Sequence, residues 1–151
     1  LHAFERANVQ AAIAPDIRAA LWEKLLFVGP FGVVGAVTRA PIGVMRSQPE
    51  TRALLEGAMA EIAEVAQARG VRLATDAIAQ AFALIDDSPE LATASMQRDI
   101  IAGRPSELES QAGVIVRMAR QADIEAPIHA SLYAALLPQE RRARGEITFP
   151  A

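Results

Sequence analysis

The chain has 151 residues, 52% of them hydrophobic but only 5% aromatic, with no cysteine and a net charge of −3. That length can bury a core in one domain, and the missing thiols exclude disulfides, thiol catalysis and cysteine-ligated zinc while remaining compatible with a reducing cytoplasm. The acidic balance gives nucleic acid no basic field to bind, and Arg141-Arg142-Ala143-Arg144 is too short a run to change this; it reads as a solvated helix end.

Alanine and leucine supply most of the apolar excess, which favours helices, and no segment alternates at period two for long enough to build a sheet. The expected fold is all-α, as a single domain over 1–151. A first short element is predicted over 1–12, closed by Ala14-Pro15. Asp16 then starts a helix that Gly29-Pro30 should bend or break, because proline has no amide proton. The most apolar stretch, 25–37, is interrupted by Gly29, Pro30, Gly32 and Gly35 and reads as too short to cross a bilayer, so no membrane segment is expected. Those glycines permit close approach by a helix or a ligand, the helix being the commoner case. The stretch from Gly29 to Val37 is expected to pack against another domain or a second subunit, as in a homodimer.

Ala40-Pro41-Ile42-Gly43 reads as a turn. A long amphipathic helix follows over 49–69, with Leu54, Leu55, Met59, Ile62 and Val65 on its apolar stripe, Glu56, Glu61 and Glu64 outside it, and Gly70 as its stop. A helix over 75–85 is followed by one over 89–102, for which Ser88 and Pro89 are the cap and first-turn pair. Ser106 and Glu109 have the spacing of a capping box opening a helix to about 122, and a last helix runs over 127–144 before the tail. His2 and His129 lie far apart and form no metal motif, so no metal is expected. The chain does not begin with methionine and is expected to be part of a longer protein.

Lys24 is the only lysine among fifteen basic side chains. Arginine is fixed in its charged state, whereas a lysine on apolar ground can lower its pKa and exchange a proton near neutral pH. Its helical neighbours Ala20, Leu21, Phe27 and Val28 are all apolar. Two readings are open: a proton donor crossing toward a cleft, and a lysine that snorkels its stem over the core and does no chemistry. A second constellation is Ser95 and Asp99, four residues apart on one helical face, with Glu107 opening the next helix after a tight corner. Such a set can orient an oxygen-rich substrate. Equally, Ser95 could bond within its own helix, Asp99 could pair with Arg98 or Arg104, and Glu107 suits a positive helix N-terminus.

Leu21-Trp22-Glu23-Lys24-Leu25, the Pro41-Ile42-Gly43 turn, Thr93 to Asp99, and Ser106-Glu107-Leu108-Glu109 with Gly113 resemble, in order and spacing, the C-terminal domain of ketopantoate reductases (2-dehydropantoate 2-reductases). The resemblance covers about 1–137. It implies a helical domain similar to those of 6-phosphogluconate dehydrogenase-like enzymes, paired with an N-terminal Rossmann domain that would bind most of the NADPH (NADP) and is absent here. By that resemblance Lys24 would be the catalytic acid that protonates the carbonyl of a 2-oxo acid, and Ser95 would bind the substrate carboxylate. Glu107 would lie near the cofactor, and Asp99 would be supporting. The family pattern also places asparagines where this chain has Val28, Gly32 and Ile42, which implies an altered pocket and a different, less polar 2-oxo acid, or a rearranged site for ketopantoate itself. The alternative from another class is a non-catalytic helical module for dimerisation or ligand sensing. A Gly-x-Gly-x-x-Gly motif after a strand is absent from the chain.

Overall fold

Asp16 opens the helix on which the fold is built. Its Oδ1 accepts the amides of Arg18 at 2.8 Å and Ala19 at 3.2 Å, satisfying two donors that the first turn leaves free. The computed structural model describes residues 2–150 and contains, among them, helices and no strand. In chain order these are α1 (His2–Arg6), α2 (Ile17–Thr38), α3 (Ile42–Ser47), α4 (Pro49–Ala68), α5 (Ala77–Asp87), α6 (Ser95–Ile101), a π-helical turn (Glu109–Gly113), α7 (Val114–Gln121) and α8 (Pro127–Ala143).

Contrary to the expected break, α2 continues through Pro30 for 22 residues. A proline inside a helix costs about 3 kcal/mol, whereas each fully buried large apolar side chain returns about 1.5–3 kcal/mol. Leu26, Val33 and Val34 are fully enclosed and Phe31 nearly so, which outweighs the lost hydrogen bond. The helix packs against α4, α5, α6 and α8. By length and composition it could cross a membrane, which corrects the shorter reading, but half of its most apolar window is buried inside the fold, as in a core helix. The stretch expected to dock on another domain or subunit is therefore internal: Gly29 to Ala36 are all buried within this chain. A Cβ on Gly32 would come within 2.6 Å of Met96 Cε and one on Gly35 within 2.6 Å of Gln97 Oε1, so these two glycines let α6 approach the α2 backbone.

The 89–94 segment is not helical, and α6 begins only at Ser95. The carbonyls of Glu90 and Ala92 accept the amides of Gly43 and Ile42 at 2.9 and 3.0 Å and so join the first turn of α3 instead of a helix of their own. Ser88 ends α5 rather than starting α6, donating its hydroxyl to Leu84 O at 2.7 Å. The Ala40 to Gly43 turn leads directly into α3, where Ile42 is fully buried. The first element is shorter than expected, ending at Arg6; Leu1 lies outside the described residues.

Ser106 acts as a cap, its Oγ accepting the Leu108 amide at 3.2 Å, but Glu109 does not complete the capping box. Both oxygens of Glu140, a buried residue of α8, accept the Ser106 amide, and Glu140 Oε2 also accepts the Ser106 hydroxyl at 2.6 Å. Glu109 instead accepts Tyr133 Oη and, at 2.6 Å, Arg117 Nη1. Glu61, expected on the solvated face of α4, is buried. Its oxygens accept the amides of Ile128 at 2.7 Å and His129 at 2.9 Å, capping α8, and Oε2 lies 2.7 Å from His129 Nδ1.

Candidate functional site

Lys24, Val28 and Gly32 recur every four residues and so share one face of α2. Lys24 is exposed, and among the described residues no side chain hydrogen-bonds or ion-pairs with it. Its neighbours Ala20, Phe27 and Val28 are half-buried and Leu21 is exposed, so this chain alone does not supply the desolvation expected from apolar surroundings. Two turns along, Gly32 leaves the backbone bare. The space above it is taken by Met96, next to Ser95 at the start of α6, and by Gln111 Oε1, 3.2 Å from where a Cβ would stand.

Ser95 is exposed at the first position of α6 and has no hydrogen-bond partner among the described residues. Glu107 is exposed and accepts Gln111 Nε2 at 3.0 Å. The packing at Gly32 thus brings the α6 start, with Ser95, and the Glu107–Gln111 pair to one level of α2. Lys24 stands on the same face roughly 12 Å along the axis, at about 1.5 Å per residue. No contact links Lys24 directly to Ser95 or Glu107. Asp99 faces elsewhere: its Oδ1 accepts Arg104 Nη2 at 2.7 Å and Nε at 3.1 Å, holding the corner that leads to Glu107. Arg98 turns to the carbonyl and hydroxyl of Thr93. Lys24, Ser95 and Glu107 are exposed, and none of them lines the five surface hollows of about 220–440 Å3. Among the described residues no group of three or more His, Cys, Asp or Glu could hold a metal ion.

The three departures from the family pattern have different surroundings. Val28 is half-buried on the lysine face, Gly32 lies beneath Gln111, and Ile42 is enclosed in the core. Sequence reasoning misses Gln111, because only the π-helical turn brings it over α2. That turn is held by Glu109, whose carboxyl is kept below the ordinary glutamate range by the Tyr133 hydroxyl first and by Arg117, against the opposing effect of burial. Burial and the Glu109 carboxylate push the Tyr133 phenol up. Gly113 closes the turn: a Cβ there would come within 2.7 Å of Glu109 Oε2 and 2.9 Å of Tyr133.

Comparison with known proteins identifies the family and the fold. The family described as "Ketopantoate reductase PanE/ApbA C terminal" matches residues 16–140. A 2-dehydropantoate 2-reductase of Mycobacterium tuberculosis is 34% identical over 114 residues, covering 76% of this chain and 38% of that protein. The corresponding protein of Halobacterium salinarum is 27% identical, over 83% of this chain and 41% of its own length. Among solved structures, a PanE/ApbA family ketopantoate reductase from Ralstonia eutropha superposes with a TM-score of 0.85 at 27% identity, over 93% of this chain and 47% of the other. A D-mandelate dehydrogenase solved with NADH and anilino(oxo)acetate has the same fold, with a TM-score of 0.84 at 17% identity, over 95% of this chain and 60% of its own. The chain spans about two fifths of the length of the curated relatives it matches. With 125 consecutive residues inside the family description and the same helical fold in its solved members, this chain belongs to the ketopantoate reductase family, as its C-terminal domain.

Proposed function

We propose that this domain is the substrate-closing half of an NADPH-dependent 2-oxo acid reductase whose cofactor-binding Rossmann domain precedes it in the whole protein. The observation that carries this reading is the chain's single lysine, exposed and without a partner on the α2 face, in a member of the ketopantoate reductase family. The open groups, an ammonium, a hydroxyl and a carboxylate, fit the reacting end of a cofactor–substrate pair. They do not fit its phosphates, for which the chain has no glycine-rich loop.

The nicotinamide, when bound, supplies the hydride. Lys24 is the group that gives its proton to the carbonyl oxygen and, as an ammonium, stabilises the charge growing on that atom. Its exposure and lack of a partner among the described residues leave the ammonium free to meet a substrate carbonyl. Ser95 donates to the substrate carboxylate. Glu107 works on the cofactor side of the lysine-bearing face, and Asp99 supports it by fixing the 102–105 corner through Arg104. The assignment goes with a cytoplasmic location.

Assaying the full-length protein for NADPH oxidation against a panel of 2-oxo acids tests the reading. Turnover by the full-length protein and none by the isolated chain is expected. Turnover by this chain alone, or none by the whole protein with any 2-oxo acid, overturns it.

A further inference from the structure

Gln111 is the residue whose position the lysine-and-serine reading does not explain. It is half-buried, and its Nε2 donates to Glu107 Oε2 at 3.0 Å. That bond fixes which way the amide faces, since two acceptor oxygens would repel, so Oε1 must point away from Glu107. Oε1 instead reaches the bare backbone of Gly32, 3.2 Å from the position a Cβ would take. No donor among the described residues reaches it. It is not sealed, either: the buried polar side-chain atom without a partner in this structure is His129 Nε2, so Gln111 Oε1 keeps access to solvent. The result is a fixed, unfilled hydrogen-bond acceptor at the level of α2 where Met96 of α6 also packs, on the lysine-bearing face.

An acceptor there selects for a donor. The carboxylate and ketone of a 2-oxo acid have none, and Lys24 lies two turns away. A hydroxyl elsewhere on the substrate would meet this need. We propose that Gln111, presented by the π-helical turn over Gly32, is the specificity-determining residue for a hydroxyl-bearing 2-oxo acid, accepting the hydroxyl while Glu107 holds the amide in place. Gly32 is part of the device, because any side chain there would occupy the space into which the amide leans. The π-helical turn is the other part. Turns of this kind occur often at functional sites, and here Tyr133, Arg117 and Gly113 pin it. This inference rests on the reductase reading above and narrows its substrate.

The test uses the full-length protein, wild type and Gln111→Met, which keeps the side-chain volume and removes both the acceptor and the donor to Glu107, so the difference between two substrates is what reports the acceptor. Ketopantoate, with its C4 hydroxyl, is compared with 3,3-dimethyl-2-oxobutanoate, the same acid without it. Wild type is expected to favour the hydroxylated acid in kcat/KM. Gln111→Met is expected to lose about 10- to 100-fold with ketopantoate, chiefly through KM, an effect of the size that follows from removing one partner of a buried hydrogen bond. With the deshydroxy acid the loss should be about tenfold smaller than with ketopantoate, because only the amide's bond to Glu107 is missing there. Equal loss on both substrates would assign Gln111 a structural role and overturn the proposal, as would a wild type that does not distinguish them; in either case the reductase reading stands. A wild type that turns over neither acid nor any other 2-oxo acid removes that reading and this one together.

Discussion

Two regions of the molecule hold their polar groups in opposite ways. Between α4 and α8, Glu61 and His129 are buried and closed on each other, and the carboxylate also takes both first-turn amides of α8. On the α2 face, Lys24, Ser95 and Glu107 are exposed, and the first two have no partner among the described residues. Buried polar groups that serve structure are mostly satisfied, and in this junction every hydrogen-bonding atom but His129 Nε2 has a partner among the described residues. An exposed face carrying an ammonium, a hydroxyl, a carboxylate and an open amide oxygen gains little stability from them, which is how groups reserved for a substrate and a second domain should look.

The largest expected effect tests the open side of that contrast. In the full-length enzyme, Lys24→Arg keeps the charge and removes an exchangeable proton, so turnover should fall about 10²- to 10⁴-fold. The thermal midpoint of the same variant should hardly move, because an exposed group with no partner contributes within about 0.5 kcal/mol. Unchanged turnover would remove Lys24 as the acid.

The closed side should behave in reverse. Glu61→Ala strips two α8 amides and a buried histidine of their shared acceptor and should cost about 3 kcal/mol. For a chain of this size that is a drop of roughly 6–12 °C in Tm by calorimetry. Little change in midpoint would mean that α8 is capped by other means and the contrast is weaker than drawn.

Next in size is an acid effect. Burial works to raise the Glu61 pKa, but the hydrogen bonds from His129 and Ile128 outweigh it and hold the carboxyl below its ordinary range. A carboxyl lowered by folding adds stability that is complete above its unfolded value, about pH 4.3, and is lost as the pH falls through the lower folded value. Urea midpoints measured from pH 6 downward should therefore decline more steeply for wild type than for Glu61→Gln. Parallel curves would contradict this. The smallest effect belongs to Asp99→Asn, which weakens a half-exposed pair with Arg104 and should cost under about 1 kcal/mol. A fall in kcat with unchanged stability would give Asp99 a more direct part than support.

The sequence is most legible where structure is local. The helices around Leu55 and Leu132 end within a residue of their expected bounds, because apolar stripes, an N-terminal proline and Gly70 are short-range signals. It misleads where a distant partner decides. Pro30 continues a helix because four other helices pack around it, and Ser106 takes its partner from Glu140, 34 residues away. Glu61 reads as solvated because its buried partners are 67 and 68 residues on. For the candidate site, Lys24, Ser95 and Glu107 are readable as motif residues. Gln111 is not, since a π-helical turn has no sequence signature comparable to a cap, and a glutamine becomes notable only once Gly32 is found beneath it.

The Glu61–His129 junction has a topological consequence. Its two ends close a loop of nearly seventy residues, and Ser95, Asp99, Glu107 and Gln111 all lie inside that loop. Loop-closure entropy rises only slowly with length, so one enclosed contact can tether so long a segment at modest cost. The clasp that tethers this segment therefore sits away from the proposed site. Loosening it should release the serine, the glutamate and the amide as one cooperative unit, visible as joint loss of amide-exchange protection across α6, the π-helical turn and α8.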